Sequence, residues 1–437
     1  MVLLDRVKKL RVILGDSVKA PSAILISRLI ASILALAGSP IVARAIGPEG
    51  RGLTAAAITV LTLVPIGLAL GLPWAVRRQS VIENDSSDVL RSARIIALFS
   101  VVPATAIGAA LCFTILAELD IWSKIFLIIG LILTPGLIIR NCQISIMVVK
   151  SQYFNIFLVT VAQPAVYFVS IAILFVLHLV TVATVIGSYV FAIAFSYCAT
   201  STLNSVAWLG SRAPIAKLIR ESFSAAGAQI SEIASYRLNQ LILLPLIGAH
   251  ALGQYAVATN VALAPAPIGP ALATSSFRSI AEADRNRVAD TIRSSFRGVV
   301  VVAFAATLSV SILAPIAVPL AFGSEFLSAV PATLILSVGA FLVICNSMMT
   351  SCLMAINKGK KASLAHYLGF LVGMCLLFLL SFQLGLVGAA ISAVLGFLVT
   401  STILSRSLSI GLRDWLPRIA LFKPTVMLIF RRVPLGV

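Results

Sequence analysis

Apolar runs long enough to cross a bilayer, about 20 residues each, recur from Ser22 to Leu408 with only short polar breaks between them. They fall at 22–43, 53–76, 95–117, 122–148, 154–177 and 181–207, then at 223–248, 251–273, 298–321, 327–355, 363–383 and 386–408. The pattern predicts an all-α integral membrane protein of about twelve transmembrane helices. Ahead of the first run, Leu3, Val7, Leu10 and Leu14 share one helical face, with Asp5, Arg6, Lys8, Lys9 and Arg11 elsewhere, so residues 1–20 read as a basic amphipathic helix lying on a membrane surface.

Charge along the loops supports this arrangement. In membrane proteins the loops rich in Lys and Arg collect on the cytoplasmic side. Of the 33 basic residues, 27 fall on one side of the alternating spans, and only Arg44, Arg51 and Lys124 lie in loops on the other. Both termini are then expected in the cytoplasm, with the chain in the cytoplasmic (inner) membrane. Composition excludes most other classes: 60% of the residues are hydrophobic and 11% charged, with mean hydropathy +1.07, far from a soluble domain. The formal charge of +18 is topological and points to no nucleic acid. Six cysteines lie in or at the ends of apolar runs without CxxC or metal-ligand spacing, so they read as packing residues. No GxxxxGK[ST] loop is present, the three histidines stand apart, and the outer loops are too short for a catalytic site. The chain reads as a transporter, not an enzyme, and no cofactor or metal is expected.

An internal repeat divides the spans six and six. Ile46, Gly47, Gly52, Ala55 and Ala57 recur 201 positions later as Ile247, Gly248, Gly253, Ala256 and Ala258. The loop entering the third span carries Arg91, Ser92 and Arg94, and the loop entering the ninth carries Arg293, Ser294 and Arg297. A parallel repeat of this kind places a substrate site between the halves. The expected organisation is 21–209 for the first bundle, 210–221 for a cytoplasmic linker, 222–410 for the second bundle and 411–437 for a basic interfacial tail.

Three arginines, Arg28, Arg140 and Arg237, fall inside spans, where each costs about 2.5–3.5 kcal/mol unless it is paired or faces water. Snorkelling or a buried ion pair is the competing structural explanation, strongest for Arg28 near a span end. Helical spacing places Arg28, Ser32, Ala35 and Ser39 in one small, polar stripe on the first span. Gln229, Glu232, Tyr236, Arg237, Asn239 and Gln240 share about half the circumference of the seventh. Equivalent stripes in both halves describe the walls of a cavity. Glu232 is the one acid well inside a span and serves to neutralise Arg237 or Arg28; three arginines against one glutamate leave the interior cationic. Such an interior suits an anionic substrate, most simply one bearing phosphate. Prolines interrupt many spans, among them Pro65, Pro103, Pro135, Pro164 and Pro245, and fixed kinks and bending hinges fit equally well. The pairs Gly67 with Gly71 and Gly369 with Gly373 predict close packing of helices within the bundle.

Residues Ala43–Gly52 (ARAIGPEGRG), Leu246–Ala258 (LIGAHALGQYAVA) and Met354–Lys361 (MAINKGKK) resemble the segments that follow the first and seventh spans and close the tenth span in the multidrug/oligosaccharidyl-lipid/polysaccharide flippase superfamily, in particular its Wzx-type polysaccharide and O-antigen flippases. The resemblance implies two six-helix bundles in a V around a central cavity. It also implies alternating-access transfer of a polyprenyl-diphosphate-linked oligosaccharide for surface-polysaccharide export. Substrate contacts would come from Arg28, Ser32, Arg140, Gln229, Glu232, Tyr236 and Arg237; the partners would be the lipid-linked glycan, membrane lipids and glycosyltransferases. Two alternatives stand beside it: a cation-coupled drug exporter of the same superfamily using Glu232, and a non-transporting scaffold for glycosyltransferases.

Overall fold

The computed structural model describes residues 22–82, 86–270, 272, 273, 280, 288–356 and 358–417, and the side chains of Ser22, Leu25 and residues 224–239 lie outside the described set. The amphipathic helix expected over residues 1–20 and the tail beyond residue 417 also lie outside it. The chain divides into two compact units, Met1–Ile233 and Ala234–Val437.

Among the described residues every regular element is helical. The first unit contains α1 (Ser22–Ala69), α2 (Leu72–Ile82), α3 (Ser86–Leu98), α4 (Val101–Phe113), α5 (Ile121–Ile132), α6 (Thr134–Val149), α7 (Tyr153–Val176) and α8 (Val182–Leu203). Helix α9 (Ile215–Ala262) begins in the first unit and ends in the second, which continues with α10 (Val288–Phe322), α11 (Ala329–Ala355) and α12 (Gly359–Leu408). Asp120 starts α5 by accepting the amides of Trp122 and Ser123, and Thr181 with Thr184 forms a capping box on α8, satisfying amides that have no partner within the helix.

Three helices of 48 to 50 residues would each be at least about 72 Å long if straight, more than twice a hydrocarbon core of about 30 Å. Each is instead broken at one glycine. Gly47 (φ 66°) interrupts α1 and Gly248 (φ 80°) interrupts α9, the two positions that the 201-residue offset equates; Gly385 (φ 54°) interrupts α12. Side chains other than glycine rarely adopt these left-handed conformations, so one residue suffices to turn the chain. That α1 folds back is shown by Arg51, whose Nη2 donates to Ser39 Oγ at 3.3 Å, although twelve residues of straight helix would hold the pair about 18 Å apart.

Among the described residues eight helical stretches are long and apolar enough to cross a membrane, and α5 with α6 forms a further pair bent by 44°. The glycine breaks further divide α1, α9 and α12 into two legs each. The third predicted span is built from α3 and α4, separated at Ser100, and the fourth from α5 and α6, with Pro135 in the first turn of α6, where a missing amide hydrogen costs no helical bond.

In the second unit the legs of α12 approach at glycines. A Cβ on Gly369 would stand 2.7 Å from the carbonyl oxygen of Gly396, and one on Gly373 3.4 Å from the Gly396 Cα. This is the close packing expected of that pair. Asn346 of α11 ties the same bundle together: its Nδ2 donates to the Phe397 carbonyl at 3.2 Å and its Oδ1 accepts from Ser401 at 2.8 Å. The first glycine pair behaves differently, because a Cβ on Gly67 would meet nothing within 4 Å and Gly71 (φ 80°) forms the turn after α1. The expectation of close packing at Gly67 and Gly71 is therefore corrected: these glycines serve a helix end.

Candidate functional site

Arg28 lies in the first leg of α1, two turns from its start, and is exposed on the surface of its own unit. Ser32, one turn further, is half-buried, Ala35 is exposed and Ser39 is buried. The stripe therefore runs from surface to interior, and its last member serves Arg51. Among the described residues Arg28 has no carboxylate partner. In the equivalent stripe on α9, Gln229, Glu232, Tyr236 and Arg237 lie on a continuous helix, but their side chains are outside the described residues; Gln240, at the end of the stripe, is buried.

Arg140 occupies a different setting. It projects from α6 into the first unit, where its Nη2 donates to the Val159 carbonyl of α7 at 3.1 Å, while its Nε is buried without a partner.

Arg51, assigned to an outer loop by its place between two apolar runs, stands instead in the second leg of α1 and is only 8% exposed. Its neighbours are Ser39 and Tyr167, the latter close enough to interact with its charge. Tyr167 meets Tyr189 of α8 edge-on, with ring centroids 5.5 Å apart, and the Tyr189 hydroxyl lies 3.4 Å from Thr62 Oγ1. Among the described residues no carboxylate pairs with Arg51 or Arg140. The one sequence signal that could have found Arg51 is the glycine turn: if Gly47 reverses the chain by itself, residue 51 already belongs to the next helix.

Each unit also has a strap on the side where the sequence places its basic loops. In the first unit the segment after α8 runs over α3. Arg94 donates to the carbonyls of Val206 and Ala207 and lies 4.7 Å from the Trp208 ring centre. Arg91 pairs with Asp88 at 2.7 Å and donates to the Ala207 and Ser211 carbonyls, and Ser92 donates to the Ala213 carbonyl. In the second unit the segment after α12 runs over α10. Arg297 pairs with Asp414 at 2.6 Å, Arg293 donates to the Ser409 carbonyl, and Trp415 stacks edge-on against Phe296 at 5.0 Å. The arginines of the internal repeat thus fasten a strap in both units, while the serines differ: Ser92 donates to the strap and Ser294 to the Thr291 carbonyl of its own helix.

The six cysteines form no disulfide, and four of them are buried. Among the described residues no cluster of His, Cys, Asp or Glu is suited to a metal ion.

The all-helical, multi-pass fold, here with helix breaks at single glycines, is shared by solved membrane proteins. The chain is similar to a lipid II flippase, MurJ, in an inward closed conformation (TM-score 0.74, 12% identity, covering 93% of this chain and 91% of that one). It is also similar to an inward-facing multidrug-resistance MATE family transporter of the multidrug/oligosaccharidyl-lipid/polysaccharide superfamily (0.65, 14%, 89% and 98%) and to a MATE protein in a bent conformation (0.59, 15%, 94% and 98%). At these identities the likeness establishes the fold. Residues 41–331 match the model of the Polysaccharide biosynthesis protein family, more than half of the 437 residues, and the chain belongs to that family. No curated protein matches the sequence. The family and its fold neighbours are transporters and flippases, not enzymes.

Proposed function

We propose that this protein is a flippase that carries a polyprenyl-diphosphate-linked oligosaccharide across the cytoplasmic membrane by alternating access, with both termini in the cytoplasm. Family membership supports a role in polysaccharide biosynthesis, and the asymmetry of the basic loops supports the orientation. The observation that carries the substrate reading is Arg28. A guanidinium on a membrane-crossing leg, exposed from its own unit and without a carboxylate partner among the described residues, must face water or an anion, since hydrocarbon costs it about 2.5–3.5 kcal/mol. A diphosphate offers paired oxygens that match its fork. Arg237 supplies the second charge in this reading, Ser32, Gln229 and Tyr236 supply neutral contacts, and Glu232 acts as a counter-ion. Arg140, held within the first unit, contributes less.

The test is complementation of glycan export. Arg28→Gln with Arg237→Gln should abolish export while protein level stays near wild type, and Arg→Lys at either position should retain part of it, because a point charge attracts phosphate without the bidentate fork. Glu232→Gln should impair export partly, whereas complete loss would favour a cation-coupled drug exporter. Full export by the double Gln variant contradicts the proposal.

A further inference from the structure

We propose that the first unit holds a small inorganic anion of the halide class against Arg51, between the two legs of α1 and Tyr167 of α7. Arg51 is 8% exposed, its Nη2 is committed to Ser39 at 3.3 Å, and its Nε is buried without a partner. No carboxylate among the described residues pairs with it. The walls beside it are apolar: Val42, Ile171 and Val185 are buried around Tyr167. An unpaired charge in such surroundings carries a desolvation penalty of several kcal/mol, and native proteins retain one only when something compensates it. Ser39 and Tyr167 are neutral and supply dipoles, not countercharge. A buried donor left unsatisfied beside a full positive charge is the arrangement that an ion completes.

The size of the anion follows from the same geometry. A phosphate or diphosphate is best held by both arms of the guanidinium fork, and here one arm is already taken by Ser39. The side chain is also closed in by its own unit, whereas Arg28 is exposed. A single-atom anion needs only the Nε edge. The site is therefore separate from the one assigned to the lipid-linked substrate, and its test involves no lipid.

Thermal unfolding of the purified full-length chain in detergent, with sodium bromide replacing sodium gluconate at constant ionic strength, reads the site directly. The wild type should show a melting temperature that rises with bromide and saturates, as binding to the native state requires. Arg51→Met should lose this response, and in gluconate it should melt no lower than the wild type, because the uncompensated charge is gone. A purely structural role for Arg51 predicts the reverse: Arg51→Met lowers the melting temperature equally in both salts. Arg51→Lys keeps the charge but removes the Nε donor, so its half-saturating bromide concentration should rise by about tenfold or more; it decides the matter if Arg51→Met cannot be purified. A response in the wild type that does not saturate, a response retained by Arg51→Met, or an unchanged midpoint in Arg51→Lys would overturn the proposal.

Discussion

The two units fasten their straps with the same arginines but different partners. In the first unit Arg94 holds the strap through backbone carbonyls and the face of Trp208, and the carboxylate of the set, Asp88, sits on α3 itself beside Arg91. In the second unit the carboxylate has moved onto the strap: Asp414 takes Arg297 while its second oxygen accepts the Gly411 amide at 3.0 Å, and Trp415 packs on Phe296 and Phe341. Asp290, the acid on α10, stands 4.0 Å from Arg293 and is exposed, so it contributes little. The first strap is held mostly through its backbone carbonyls, with one carboxylate bond in which its own Ser211 donates to Asp88 at the exposed edge of α3. A strap held by a buried carboxylate has a single docked position. The first strap leads into α9.

Substitutions at glycine should separate the units most sharply. Gly369→Leu would drive a side chain into the Gly396 carbonyl and the Thr400 hydroxyl, and overpacking of that severity should cost more than about 3 kcal/mol and abolish folded protein in size-exclusion chromatography. Gly67→Leu in the first unit faces open space and should leave yield and elution unchanged. At the straps, Arg297→Ala strands the buried Asp414 carboxylate and should cost about 1.5–3 kcal/mol. Arg94→Ala frees carbonyls that water can satisfy and should cost about 1 kcal/mol. Denaturant unfolding in detergent measures both, and equal losses would remove the distinction between the straps.

The smallest expected difference is in acid. Burial raises the Asp414 carboxyl, but hydrogen bonds from Arg297 and the Gly411 amide, with the charges of Arg297 and Arg293, outweigh it and hold the group below the usual carboxylate value. Its stabilisation is complete above the unfolded carboxylate pKa, about 3.9, and is lost as pH falls through the lower folded value. Trp415 should therefore keep its buried fluorescence down to about pH 4 and release below it. Asp414→Asn should shift or abolish that transition.

Much of this architecture is legible in the chain because it rests on local signals. The offset that equates Gly47 with Gly248 marks two helix breaks, and the Arg-Ser pairs mark both straps. Illegible features depend on contacts across long separations. Asp414 meets an arginine 117 residues away, and nothing near Gly411 in the sequence announces it. Tyr167 and Tyr189 stand among other aromatics in apolar runs, indistinguishable from packing residues until the fold sets them 5.5 Å apart. Arg51 was hidden by the assumption that a reversal needs a loop of several residues; one glycine suffices. Of the candidate stripe, Arg28 is exposed, while Ser39 at its far end accepts from Arg51, a pairing that depends on the turn at Gly47 and so is not legible from helical spacing.

Translocation in reconstituted vesicles tests the central claim most directly. A polyprenyl-diphosphate-linked oligosaccharide placed in one leaflet, with its sugar detected by an impermeant lectin from the other side, should cross faster with wild-type protein than in protein-free vesicles. The Arg28→Gln, Arg237→Gln variant, present in equal amount, should return the rate to the protein-free level. Equal rates with and without the wild-type protein, or undiminished transfer by the double variant, would contradict the account.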